Sequence, residues 1–399
     1  MRLSQRALSM QESAIRKLDQ FVAMSPGVYF HKLNIGQPDV PTPPAVMEAL
    51  ATTDSPVLAY GPASGLRACR EAAAAFHGRT SPGLGWEHAV VTQGGSEALL
   101  FAFCGLCDPG DEILVPEPYY TNYNGFATVA AAKVVPVRTR LDEGFRIPSN
   151  EELDRYVTDK TRIFLFANPG NPTGAVYDEY DLRRVAEWAR SRKLWLVADE
   201  VYREIWFERP PLSALSLQGH EDHVIVVDST SKTFSSCGLR IGFLISRNLT
   251  FMERVERLGQ ARLGPQPRAQ NAAIAALALP QAFYDGLRDT YRERVDAMMD
   301  ALGTIPGVSF HRPEGAFYTM ARLPVADTEA FARFLVSEFR SHTSGRPESV
   351  VVAPGPGFYA HAGEGRDEIR LAAVKNPAEI RRGIEVIGEA LAAFPGRAQ

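Results

Sequence analysis

The chain reads as an α/β protein: a mostly parallel sheet with helices on its faces, joined to a smaller α+β domain. Three observations carry that reading. Short apolar, β-branched runs such as residues 224–227 and 163–167 show no polar alternation, as expected of strands buried on both faces. Between the runs 163–167 and 194–198 lies the amphipathic stretch 178–192, so the three form a βαβ unit with parallel strands and a right-handed crossover. At 399 residues the chain exceeds the ~250–300 at which a single core stops growing, and a second domain follows.

Composition narrows the function classes. With 45% apolar and 23% charged residues the chain is an ordinary globular protein, and its net charge of −4 gives no reason to expect nucleic acid. No apolar run approaches the ~20 residues of a membrane span; the densest is 98–107. Four cysteines, Cys69, Cys104, Cys107 and Cys237, make no disulfide framework, so a reducing, cytoplasmic setting is expected. Cys104 and Cys107 have redox spacing but sit in the helical run SEALLFAFCGLC, where buried packing is the expectation.

The N-terminal stretch is basic and weakly amphipathic, carries Glu12 and Asp19, and lacks the apolar core of a secretory signal, so it reads as an ordered arm. HKLNIGQPD, residues 31–39, is a short extended segment ending in a turn. Pro43 and Pro44 then suit the first turn of a helix over 45–50. AYGPASGL, residues 59–66, is a glycine-containing loop before a helix over 67–76, and Tyr60 by itself is a loop tyrosine. A strand over 89–92 meets the turn Gln93-Gly94-Gly95 and a helix from Ser96. Its first amides and dipole suit a phosphate, and a plain tight turn would look the same.

A strand over 112–115 runs into PEPYYTNY, whose Tyr119, Tyr120 and Tyr123 offer either an aromatic face for a planar heterocycle or wall packing. After a strand over 133–137 and a short helix near 151–157 comes the βαβ unit, with the turn NPGNPTG and a second strand ending in Asp199-Glu200. Parallel strands therefore bring Asn171 and Asp199 to one edge of the sheet. The next strand, 224–227, opens at that edge onto Asp228, Ser229, Thr230, Ser231 and Lys232, with Arg240 eight residues further on. A lysine alone is an ordinary surface charge. Bracketed with an arginine around a hydroxyl-rich loop, it suits a phosphorylated aldehyde: the amine condenses, while the guanidinium and hydroxyls hold the phosphate.

Helical spacing returns over 271–279 and 285–302, and strands near 308–310, 316–320, 350–353 and 369–372 make the smaller domain. Arg370 stands inside the last of these, costly to bury unless paired with an anion.

The ordered set NIGQPD, AYG, QGGSEAL, NPGNPTG, DEVY, STSK, GLRIG and EIRL resembles the class I, fold-type I pyridoxal 5′-phosphate aminotransferases, in the branch of the bacterial aspartate aminotransferases. The resemblance implies a seven-stranded, mostly parallel sheet in a large domain over 46–285. It places a C-terminal small domain over 286–399, and an arm with part of the small domain over 1–45. It also implies exchange of an amino group between an L-amino acid and a 2-oxo acid through pyridoxamine phosphate, in a homodimer with shared active sites. No metal is implied.

By that resemblance Lys232 carries the cofactor and moves the substrate's Cα proton. Asp199 faces the pyridine nitrogen; such a charge pair at ~4 Å and an effective dielectric near 20 is worth about 4 kcal/mol. Tyr202, with Asn171 beside it, bonds the cofactor's ring oxygen, and Tyr120 stacks on the ring. Gly94, Gly95, Ser96, Ser229 and Arg240 form the phosphate cup, with Tyr60 reaching it across the dimer interface. Arg370 clamps the substrate α-carboxylate beside Gly36 and Asn171. Some relatives of this branch have a lysine at the position of Ser96 that helps bind a distal carboxylate, so the serine puts dicarboxylate specificity in doubt.

Two further readings compete. Elimination, decarboxylation or cyclisation could follow on the same fold, since reaction choice depends on a geometry that sequence does not show. A ligand-sensing regulator needs a DNA-binding module for which the segment before NIGQPD is too short, and QGGSEA lacks the GxGxxG of a dinucleotide site.

Overall fold

The computed structural model describes residues 1–10, 14–52 and 56–397; Glu12 lies outside them. After β1 (Tyr29–Lys32), one sheet is built from β2 (Ala89–Thr92), β3 (Glu112–Glu117), β4 (Lys133–Arg138), β5 (Thr161–Ala167), β6 (Trp195–Asp199), β7 (Val224–Ser229) and β8 (Gly242–Ile245). Its seven strands run in the order β2-β8-β7-β6-β5-β3-β4. All neighbours from β7 to β4 are parallel, and β8 is antiparallel to both β7 and β2.

The continuous apolar runs of the sequence are explained by two-sided burial. Ile163, Leu165, Val197, Ile225 and Val227 enter one core, while the alternate residues Phe164, Phe166, Leu196, Ala198 and Val226 enter the other. Helices Gly95–Leu106, Asn122–Val129 and Leu249–Arg262 cover the first face; Arg67–Gly78, Glu179–Ser191 and Pro267–Leu277 cover the second. Leaving either face open would expose a row of large apolar side chains, which at about 25 cal/mol per Å² is the main driving force for closing the layers.

A second sheet holds β9 (Ser309–Phe310), β10 (Tyr318–Arg322), β12 (Ala353–Pro354) and β13 (Glu368–Ala372), in the order β12-β13-β10-β9. The strand expected over 350–353 is divided. β11 (Glu348–Val351) pairs in parallel with β1, whereas β12 joins β13, so the chain changes partner at Val352. The strand expected over 316–320 starts at Tyr318, because Ala316 adopts a left-handed φ of +57° that breaks the extended run. The boundary expected after residue 285 falls inside the continuous helix Gln281–Gly303.

One expectation fails. Cys107 is buried but Cys104 is exposed. Cys104 lies on the outer side of its helix, while Cys107 follows the last helical turn in extended geometry (φ −117°, ψ 133°), where the chain turns back toward the sheet. Among the described residues no helix is long and apolar enough to cross a membrane.

Candidate active site

The carboxyl ends of β5, β6 and β7 open into a cavity of about 530 Å³, the crevice where parallel α/β sheets carry their ligands. Its floor begins at β7. Ser229 ends that strand and caps the short helix Thr230–Thr233 by accepting from the Ser231 amide at 3.2 Å, which sets Lys232 facing the cavity. Lys232 Nζ donates to the Gly36 carbonyl at 2.9 Å, so the 33–39 loop is drawn over the lysine.

The wall beside it is an anion cup. Gly94 has φ +76°, a conformation open to glycine, and precedes the helix Gly95–Leu106, whose first amides no side chain caps. A Cβ at Gly94 would lie 2.5 Å from Arg240 Nη2, and one at Gly242 would lie 2.3 Å from the Gly94 backbone. Gly242 is therefore demanded by close backbone approach and Gly94 by its left-handed φ. Arg240, itself left-handed at φ +55°, donates to the Cys237 and Gln93 carbonyls at 3.0 and 3.3 Å. Gly95, Ser96 and Ser229 share the cavity lining with it.

Asp199 ends β6 and is 5% exposed. Tyr123 Oη donates to its Oδ2 at 2.7 Å, while Oδ1 accepts from the Val201 amide at 3.4 Å. Burial pushes this carboxyl up to about 6, against the pull of those two hydrogen bonds. It thus remains mostly ionised at neutral pH, with Oδ1 the less committed oxygen. Tyr120 lies edge-on to Tyr123, ring centroids 5.4 Å apart, and lines the cavity.

Arg370, 4% exposed, projects from β13. It donates through Nη1 to Asn171 Oδ1 at 3.1 Å and through Nη2 to the Asn34 carbonyl at 2.5 Å. Its Nε is buried without a partner among the described residues. The guanidinium rests over the Tyr318 ring at 4.5 Å and the Phe358 ring at 4.8 Å. Burial lowers its pKa from the ordinary arginine value. The hydrogen bonds of Lys232, Arg240 and Arg370 thus end on uncharged oxygens. Three cations converge on one cavity with one buried carboxylate, an arrangement suited to a ligand set bearing more than one anionic group.

Most residues singled out in the sequence line this cavity. Tyr60 is 86% exposed and does not line this cavity. Tyr202 lines it, with its hydroxyl 2.9 Å from that of Tyr318, and Asn171 lines it too and accepts from Arg370. The sequence reading gave no role here to Tyr318 or Asn34, and for Tyr123 offered an aromatic face or wall packing but not its hydrogen bond to Asp199. Tyr123 had a signal, since it follows Tyr120 by three residues across a helix start; Tyr318 had none short of the strand register.

The residues fit pyridoxal 5′-phosphate: a glycine cradle and arginine for the phosphate, an ionised buried carboxylate for a pyridine nitrogen, and an amine between them. The profile of the family described as Aminotransferase class I and II matches residues 30–387. An aspartate/prephenate aminotransferase of Thermus thermophilus is 31% identical over 365 residues, covering 90% of each chain. An arginine–pyruvate transaminase of Pseudomonas aeruginosa is 33% identical over 291 residues, 72% of this chain and 74% of its own. The solved alanine aminotransferase of Pyrococcus furiosus superposes with a TM-score of 0.89 at 30% identity, covering 98% of this chain and 100% of its own. The chain therefore belongs to the class I and II aminotransferases and is a pyridoxal phosphate-dependent transaminase.

Proposed function

We propose that this transaminase acts on L-amino acids whose side chains carry no charge. The supporting observation is the charge inventory of the cavity. Among the described residues lining it, the charged groups are Lys232, Asp199, Arg240 and Arg370, and each has a task of its own. When bound, pyridoxal 5′-phosphate supplies the aldehyde that takes up the amino group and the ring that withdraws electrons from Cα. Arg240, Ser229, Ser96 and the amides after Gly94 would hold its phosphate, Asp199 would oppose its ring nitrogen, Tyr202 would donate to its ring oxygen and Tyr120 would pack against its ring. Lys232 Nζ, as a free amine, would take the proton from substrate Cα. Arg370 and Asn171 receive the α-carboxylate, a bidentate match for a planar guanidinium.

Beyond those groups the cavity offers Ile35, Gln37, Thr121 and Asn122, which are apolar or uncharged polar. A carboxylate or guanidinium on the substrate side chain would lose water without gaining a counter-charge there. The relatives named above are spread over aspartate or prephenate, arginine and alanine, so the family by itself leaves the side chain open. Half-reactions with single amino acids, followed by the absorbance of the bound cofactor, are expected to run at least ~10-fold faster in kcat/KM for neutral side chains than for aspartate, glutamate, arginine or lysine. A preference for aspartate or arginine would refute this.

We further propose a homodimer in which Tyr60 of each copy serves the other copy's phosphate cup. Tyr60 and Leu58 are 86% and 77% exposed, an unusual state for two large apolar-bodied residues. Sedimentation should give twice the mass of the chain, and a fully active monomer would rule the arrangement out.

A further inference from the structure

Tyr318 is absent from the roles assigned so far, yet it touches two of the groups that matter most. Its hydroxyl lies 2.9 Å from that of Tyr202 and 3.5 Å from the Gly36 carbonyl. Both tyrosines are buried, and their rings meet at 82° with centroids 5.6 Å apart. The backbone fixes this meeting: Ala316 N donates to Ile205 O at 2.8 Å, and Trp206 bridges Gly315. The segments carrying the two tyrosines are thus stitched together just beyond each ring. A Cβ at Gly36 would fall 1.7 Å from the Tyr318 hydroxyl, so the glycine leaves room for it.

A phenol donates one proton and can accept as well. If Tyr318 donates to Gly36, Tyr202 must spend its only proton on Tyr318 and has none for the cavity. If Tyr318 donates to Tyr202, the Tyr202 proton is free to point at a ligand. The two separations favour the second arrangement, 2.9 Å being a normal O–H···O contact and 3.5 Å a marginal one. Donation into Tyr202 also polarises its hydroxyl and makes it the stronger donor.

We infer that Tyr318 is a positioning residue that donates its hydroxyl proton to Tyr202 and so directs the Tyr202 proton into the cofactor cavity. The Arg370 guanidinium rests on the other feature of the same residue, its ring, at 4.5 Å. One side chain therefore supports both the carboxylate clamp and the donor to the cofactor, through separable parts. This inference rests on the proposed assignment of Tyr202 to the cofactor's ring oxygen.

The test compares wild type, Tyr202→Phe, Tyr318→Phe and the double variant, each loaded with pyridoxal 5′-phosphate, by the pH midpoint of the bound cofactor's absorbance change. A proton donated to the ring oxygen stabilises its negative charge and holds the midpoint low. Tyr318→Phe should raise it by about half to one pH unit. Tyr202→Phe should raise it further, and the double variant should match Tyr202→Phe, since Tyr318 acts through Tyr202. KM for the amino acid in Tyr318→Phe should stay within about threefold of wild type, because the ring beneath Arg370 is kept. If Tyr202→Phe moves the midpoint while Tyr318→Phe does not, or if the two shifts add in the double variant, the inference is overturned. A tenfold rise in KM for Tyr318→Phe would also overturn it. An unmoved midpoint in Tyr202→Phe would instead remove the assignment of Tyr202, and this inference with it.

Discussion

Replacing Lys232 by alanine should lower steady transamination by at least ~10³-fold while leaving the protein folded and able to bind the cofactor. The structural reason is that Lys232 contributes little to stability. It is partly exposed and makes a single hydrogen bond, to the Gly36 carbonyl. The phosphate cup, Asp199 and the Tyr123 hydroxyl stay in place without it, so affinity for pyridoxal 5′-phosphate should survive the loss of the covalent bond. Borohydride treatment of the loaded wild type should fix the cofactor to Lys232, and mass spectrometry should find no such adduct in the variant. Wild-type turnover in Lys232→Ala would end the assignment of that residue. Added small amines offer a further check, since they can restore a proton acceptor but not the tether.

Arg370 should behave in the opposite way, with a large effect on binding and a neutral or favourable one on folding. Arg370→Lys keeps the charge and loses the planar fork, and KM for both the amino acid and the 2-oxo acid should rise at least ~30-fold, the effect of losing 2 kcal/mol or more at a buried charged contact. Affinity for the cofactor should change far less, because Arg370 stands apart from the phosphate cup. Its guanidinium is buried against Asn171, Asn34, Tyr318 and Phe358, and among the described residues no carboxylate pairs with it. Exchanging such a charge for an apolar side chain of similar length is often neutral, or stabilising by about 1–4 kcal/mol. Arg370→Met should therefore unfold at the same or higher denaturant concentration than the cofactor-free wild type while losing substrate. A clear loss of stability would mark the guanidinium as a structural group and weaken its reading as the clamp. The unpaired Nε is consistent with an element kept for a ligand at some expense to the fold.

The neighbours of these residues show how local the sequence signals were. Asp199, Asn171 and Lys232 could be brought together from the chain alone, because each follows an apolar run and parallel runs must end on the same side. The Gly94 turn was legible in the sequence; the approach of Arg240 to it from the loop before β8 was not. Cys104 was misjudged because apolar helical spacing does not say which side of the helix the sheet will take. The contact of Tyr202 with Tyr318 was not legible in the sequence for a similar reason. Tyr318 lies 116 positions away on β10, diagonal to Arg370 in a register where Met320 faces Arg370 across the strands.

Hydrophobic period and turn chemistry, which act over a few residues, were enough to set the α/β class, the βαβ unit and the edge carrying the lysine, the carboxylate and the asparagine. The pairing of phenol with phenol, the burial of Arg370 with no paired carboxylate among the described residues and the shift of the chain between sheets at Val352 depend on contacts between distant segments. Such contacts are selected by packing and by the need to satisfy buried polar groups, and no local pattern encodes them.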